Sequence, residues 1–128
     1  MSPITLAARR MRENDNYPVL ILNFPKLGSI AEEICESEPA GGYFYHADEF
    51  ETSVVLSVFP EGVKMEKAEK VYPTFPPAYS ETQTLISDFN PIGVFGDPTK
   101  ATAEKGERFL KALTESSMEV VQEFLQTL

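Results

Sequence analysis

This sequence is poor in the side chains that usually carry chemistry. It has one cysteine, Cys35, and one histidine, His46, in 128 residues. A lone cysteine excludes an intrachain disulfide. Its setting, Ile34-Cys35-Glu36, reads as a helix interior, so it is expected to be a small buried thiol rather than a reactive one. Basic residues are also scarce: 11 Lys and Arg stand against 20 Asp and Glu, for a net charge of −9. That balance argues against nucleic acid and against anionic membrane surfaces, which call for clustered Lys and Arg. No apolar run is long enough to span a bilayer, and no apolar stretch follows Arg9, Arg10 and Arg12 as in a signal peptide. A reducing, cytoplasmic setting is therefore expected. A hydrophobic fraction of 42% with 11% aromatics excludes a disordered chain, and the length fits one domain, 1–128.

Strands are the next shortage. Residues 3–13 read as a helix with Pro3 in its first turn and Ile4, Leu6, Ala7, Ala8 and Met11 on one face. Asn14-Asp15-Asn16 marks a turn. Val19 to Asn23 is an unbroken apolar run of strand length, as in a strand buried on both faces. Pro25 opens a second helix to about Ser37, and Glu38 to Gly42 is a loop. Residues 49–59 predict a third helix, since Phe50, Val54 and Val58, like Val55 and Phe59, recur at i+4; Pro60 and Gly62 end it. Val71 to Thr82, with Pro73, Pro76 and Pro77, fits no regular element; a functional loop and a Pro-rich connector are both open to it. Ile92 to Phe95 predicts a short strand. Asp97-Pro98 starts a last helix, to about Gln126, with Phe109, Leu113, Val120, Val121, Phe124 and Leu128 buried. Gly106 inside it points to close packing against a neighbour. Two strands do not make a stable parallel sheet. The chain is therefore expected to form part of a larger sheet, completed by another polypeptide, a swapped copy or a lost N-terminal half.

What is present is concentrated in one octapeptide, His46-Ala47-Asp48-Glu49-Phe50-Glu51-Thr52-Ser53. It sets the only imidazole beside three carboxylates, the arrangement proton transfer requires. The competing reading is structural, because carboxylates also gather at helix N-termini. His46 is placed at or just before such an N-terminus. Glu49 is the best candidate for orienting His46 or reaching the site. Glu51, Thr52 and Ser53 can cap free backbone N–H groups there.

The octapeptide resembles the His-Ala-Gly-Glu-x-Glu-Thr-Ser signature of the creatininase (creatinine amidohydrolase) family, matching at His46, Ala47, Glu49, Glu51, Thr52 and Ser53. Leu56 and Pro60 also fall where that family has Leu and Pro. A second stretch, Gly93-Val94-Phe95-Gly96-Asp97-Pro98 with residues 101–107 behind it, is similar to the segment leading into the family's last helix. Residues 4–30 fit the preceding helix, strand and helix more weakly. The resemblance implies an α/β/α sandwich, here incomplete and limited to the C-terminal half, in a family that commonly forms hexamers. It implies hydrolysis of a small-molecule amide, often cyclic, with two divalent metals (zinc or manganese), and with His46 passing a proton to the leaving nitrogen. The family's metal ligands lie in its N-terminal half, so none is expected in this chain. Asp48 replaces the usual Gly, either as a helix cap or as an added carboxylate. Gly42, Tyr43, Phe44 and Tyr45 stand where creatininase itself has aromatic and acidic residues. Tyr43 and Tyr45 are candidates for lining a substrate pocket, with core packing the other role open to them. The leading expectation is the His-bearing half of a metal-dependent amidohydrolase, in a homo-oligomer or in a complex with an N-terminal metal-binding half. A non-catalytic remnant or scaffold subunit is the alternative, and a small-molecule binding module with residues 71–82 as lid ranks third.

Overall fold

The computed structural model describes residues 2–41, 45–79 and 81–128. Among the described residues the elements are α1 (Pro3–Asp15), α2 (Leu27–Ile34), α3 (Glu49–Val58), a single turn α4 (Ile86–Phe89) and α5 (Ala103–Leu125). Short 3-10 turns stand at Pro60–Gly62, Met65–Lys67 and Pro98–Lys100. The chain divides into two compact units, one made by the segment up to Leu27 with Leu113–Leu128, the other by Gly28–Ala112.

In the first unit, the Ser2 hydroxyl accepts from Thr5 N–H at 3.2 Å and Pro3 occupies the first turn, so α1 begins where the sequence places it. Asn16, at φ 52°, ends it in the left-handed region that Asn tolerates. The expected strand over Val19 to Asn23 does not form. Among the described residues no backbone ladder joins that run to another segment, and Ile21 and Leu22 remain 42% and 45% exposed. The run has strand chemistry, but among the described residues it is given no pairing partner, and pairing is what makes a strand. The second helix starts at Leu27 rather than Pro25, because Phe24 and Lys26 have φ values of 39° and 62°, outside any right-handed helix. From the C-terminal turns of α5, the Ser116 hydroxyl donates to the Pro25 carbonyl at 2.9 Å. Val120, Val121 and Phe124 are half-buried and Leu128 is exposed, so the expected stripe fades toward the end of the chain.

The second unit holds the aromatic core. Phe95 and Phe109 are fully buried, and Phe50 of α3 meets Phe109 of α5 with ring centroids 4.7 Å apart. Phe75 and Phe89 pack on Phe95 at centroid separations of 5.6 and 5.9 Å, and Tyr79 packs on Phe75 and Phe89 at 5.4 and 5.5 Å. The Pro-rich stretch is thus anchored by its aromatic residues, although it forms no regular element. The short strand expected over Ile92 to Phe95 reduces to two isolated antiparallel bridges, His46 to Phe95 and Val71 to Gly96. Among the described residues there is no strand, so the expected α/β layering is not present as a sheet.

The last helix also starts later than expected. Asp97 does cap its turn, accepting from Thr99 N–H at 3.2 Å, but that turn is a 3-10 one and Ala101 is extended at ψ 141°. α5 proper begins beyond Thr102, whose hydroxyl accepts from Lys105 N–H at 3.2 Å. The Thr102 N–H in turn donates to the fully buried Ser53 hydroxyl at 3.2 Å. Ser53 therefore caps, as expected of a hydroxyl in this motif, but serves the neighbouring helix rather than its own.

Candidate functional site

The octapeptide turns from a bridge into a helix. His46 pairs with Phe95, Ala47 takes a left-handed φ of 49°, and Asp48 is the N-cap of α3. The Asp48 carboxylate accepts from Glu51 N–H at 2.9 Å, while the Glu51 carboxylate reaches back to Ala47 N–H at 2.6 Å. This is a variant of the capping box, with the back bond made to the residue before the cap. Of the two roles open to Asp48, the cap is the one built. His46 stands exposed just ahead of the helix N-terminus, where the sequence places it.

Glu49 is fully buried one residue inside the cap. Its carboxylate accepts from Glu36 N–H at 3.0 and 3.1 Å, from Ser37 N–H at 2.8 Å and from the Ser37 hydroxyl at 2.5 Å. It also takes a bond from Lys105 Nζ at 2.5 Å. These bonds explain why α2 stops at Ile34 and not near Ser37: the Glu36 and Ser37 N–H groups that would extend the helix are given to Glu49 instead. Burial alone would raise the Glu49 pKa, but the bonds from Lys105, Ser37 and the two backbone groups outweigh it and hold the value below the usual 4.5. Lys105 is closed in by Glu36 Oε1 at 2.7 Å and the Lys100 carbonyl at 2.8 Å, and although burial opposes its charge, the two carboxylates raise its pKa. Sequence reasoning missed this ionic knot. Its one signal was that Lys105 lies in the second family-like stretch, facing away from any feature that periodicity alone would mark.

The remaining residues separate. Tyr45 is half-buried, sets its ring edge-on against Phe50 at 5.8 Å, and lines a cavity of about 120 Å³ with Cys35, Ser37 and Asp48 among others. Tyr43 lies outside the described residues. The Cys35 thiol is pushed up to about 12 by burial, with the Glu49 and Asp48 charges adding to the effect, so it stays protonated at neutral pH and is a poor nucleophile. Among the described residues no group of three or more His, Cys, Asp and Glu side chains is arranged to hold a metal ion. The acids nearest His46 are committed elsewhere, Asp48 and Glu51 to the cap and Glu49 to Lys105, and this donor set does not fit a pair of divalent metals.

Burial pushes Asp48 up to about 6, against an ordinary 3.8; the bond from Glu51 N–H works the other way and the Glu51 charge adds to the rise. A folded-state value above the unfolded one means stability fully present below 3.8 and lost as pH rises through about 6. Asp48→Asn keeps the acceptor for the helix N–H and removes the buried charge. It should be more stable than wild type at pH 8 by about 1–3 kcal/mol, with the advantage gone at pH 4. Urea melts followed by far-ultraviolet circular dichroism at both pH values check this; equal midpoints at pH 8 would contradict it.

No helix among the described residues is long and apolar enough to cross a membrane. The model of a family described as creatininase, creatinine amidohydrolase, matches residues 1–121. Two solved structures illustrate the likeness. One, described as "Creatininase Mn", superposes with a TM-score of 0.69 at 25% identity over 94% of this chain and 49% of its own. The other, described as a crystal structure of creatinine amidohydrolase (creatininase), gives a TM-score of 0.69 at 26% identity over the same shares. The chain thus spans about half the length of these solved relatives. No curated protein matches it.

Proposed function

The chain belongs to the creatininase family, and from that premise we propose that it supplies the His46-bearing, C-terminal portion of an amidohydrolase site. The observation that supports this reading is the build of the signature: an exposed imidazole held at the mouth of a rigidly capped helix, with every neighbouring carboxylate tied down by hydrogen bonds. In that position His46 would hand a proton to the nitrogen that leaves a small, often cyclic, amide. Glu49 serves as a positioning residue. It ties the first turn of α3, which carries the His46 segment, to the end of α2 and to α5. Tyr45, and Tyr43 beside it in sequence, are the candidates for contact with substrate. Zinc or manganese enters this reading through a partner, because the described acids around His46 are committed to the helix cap and to Lys105. The partner would be an N-terminal metal-binding half, within a larger cytoplasmic oligomer.

The commitment of the acids to structure equally favours a second reading, a subunit that keeps the scaffold and its oligomer contacts without the chemistry. Native mass spectrometry with metal analysis, on protein purified from its own source, separates the two. A second polypeptide in fixed ratio with divalent metal supports the split enzyme; a metal-free homo-oligomer supports the scaffold. In the assembled enzyme, His46→Ala should lower turnover of an amide substrate by at least ~10²-fold. Wild-type turnover in that variant would end the assignment of His46.

A further inference from the structure

An exposed imidazole can act in proton transfer only if something fixes where it stands, and an exposed side chain has its own rotamers to lose. Ala47, in the left-handed region, separates the histidine from α3. We infer that Phe95 is the positioning residue for His46, setting the imidazole through a backbone bond and a ring contact at once. The inference rests on the reading of His46 as the proton-transfer group.

The Phe95 N–H donates to the His46 carbonyl at 2.9 Å, and the two rings stand with centroids 5.9 Å apart at 52°. Phe95 can act as a platform because it is itself immobilised. Its side chain has 0% exposure, with Phe75 on it at 5.6 Å and Phe89 at 5.9 Å. Its backbone is pinned on both sides. The Asn90 side-chain amide donates to the Val94 carbonyl at 2.6 Å, and Gly96 exchanges two bonds with Val71 at 2.8 and 2.9 Å. Gly96, at φ 135°, also lies close against the octapeptide: a Cβ there would make a tight contact of 3.0 Å with the Asp48 Cβ. The strip Val94–Asp97 thus lies against the octapeptide at His46 and again at Asp48. Phe75 adds a second hold, since a Cβ on Gly41, ahead of the His46 segment, would fall 2.3 Å from its ring. The two family-like stretches, separate in sequence, meet here for a physical reason. One carries the imidazole and the other carries the surface it leans on.

The only histidine in the chain gives a single set of imidazole proton resonances, so nuclear magnetic resonance of the full chain reads this geometry directly. Cross-relaxation between the His46 and Phe95 ring protons is expected in the wild type. Phe95→Leu should abolish it and move both carbon-bound imidazole resonances, because the ring current that shifts them is gone. Phe89→Leu removes an aromatic ring that packs on Phe95 but keeps the Phe95 ring itself, and should move the His46 resonances far less than Phe95→Leu does. In the assembled enzyme, Phe95→Leu should lower kcat by roughly 10–10²-fold with KM little changed, as expected of a misplaced reacting group. Absence of the cross-relaxation in the wild type overturns the inference, a result that needs no variant to fold. Equal shifts from Phe89→Leu and Phe95→Leu overturn it too, by showing general core damage. The magnetic readout is independent of catalysis, so loss of the His46 assignment through an active His46→Ala enzyme would be told apart from failure of the positioning geometry.

Discussion

Gly106→Ala should destabilise the protein by more than about 3 kcal/mol, although alanine is the better helix former by about 1 kcal/mol. The sign follows from the crossing of α3 and α5. A Cβ on Gly106 would stand 2.0 Å from the Ser53 carbonyl oxygen, 2.6 Å from its carbon and 2.8 Å from the Ser57 Cβ. Two of these atoms are helix backbone, which cannot swing aside as the end of a flexible side chain can. The crossing cannot open by itself either. Ser53, fully buried at the contact, holds Thr102 N–H at the start of α5, and the Lys105–Glu49 pair clamps the same two helices one turn away. Relief would break one of these bonds or bend a helix. Thermal and urea melts by circular dichroism give the answer. A Gly106→Ala protein as stable as wild type would mean that the helices do not approach this closely in solution.

That glycine was legible in the sequence, because a residue that weakens a helix needs a packing reason to sit inside one. Two caps were legible as well: Asp48 and Asp97 are short acceptors just ahead of apolar periodicity, and each caps its turn. The strands were not. Val19 to Asn23 has the composition of a buried strand, but composition reports only what a segment can do with a neighbour, and among the described residues no ladder joins it. Helix boundaries failed where a distant side chain takes the local hydrogen bonds. Glu49 ends α2 from 12 and 13 residues away, and no window along α2 contains it. The site divides in the same manner. The position of His46 ahead of α3 could be read from spacing, whereas the surface that holds it, Phe95, is joined to it only by the fold.

Lys105→Met should cost about 3–5 kcal/mol, the usual penalty for leaving a buried charge without its partner. The fate of Glu49 decides the size. With Lys105 gone, a carboxylate with side-chain exposure of 1% keeps its donors from Glu36 and Ser37 but loses this cation, while Glu36 and the Lys100 carbonyl lose the same partner. Glu49→Gln with Lys105→Met should recover much of the loss, because neither member is then a buried ion. The pH dependence gives a second signature. In the wild type the Glu49 pKa lies below 4.5, so its contribution is present above that value and is lost as pH falls through the lower folded value. The Lys105 pKa lies above 10.5, so its contribution holds below that value and is lost as pH rises beyond it. The pair therefore works across the whole neutral range. In Lys105→Met the sign at the acid end reverses. Glu49 then sits buried without a cation, its pKa rises, and acid that weakens the wild type relieves the variant. Urea midpoints for wild type, both single variants and the double variant at pH 4 and pH 7 test this. The gap between wild type and Lys105→Met should narrow at pH 4. A gap of equal size at both pH values would show that the lysine contributes packing and not charge, and Glu49 would then be held by the Glu36 and Ser37 donors alone.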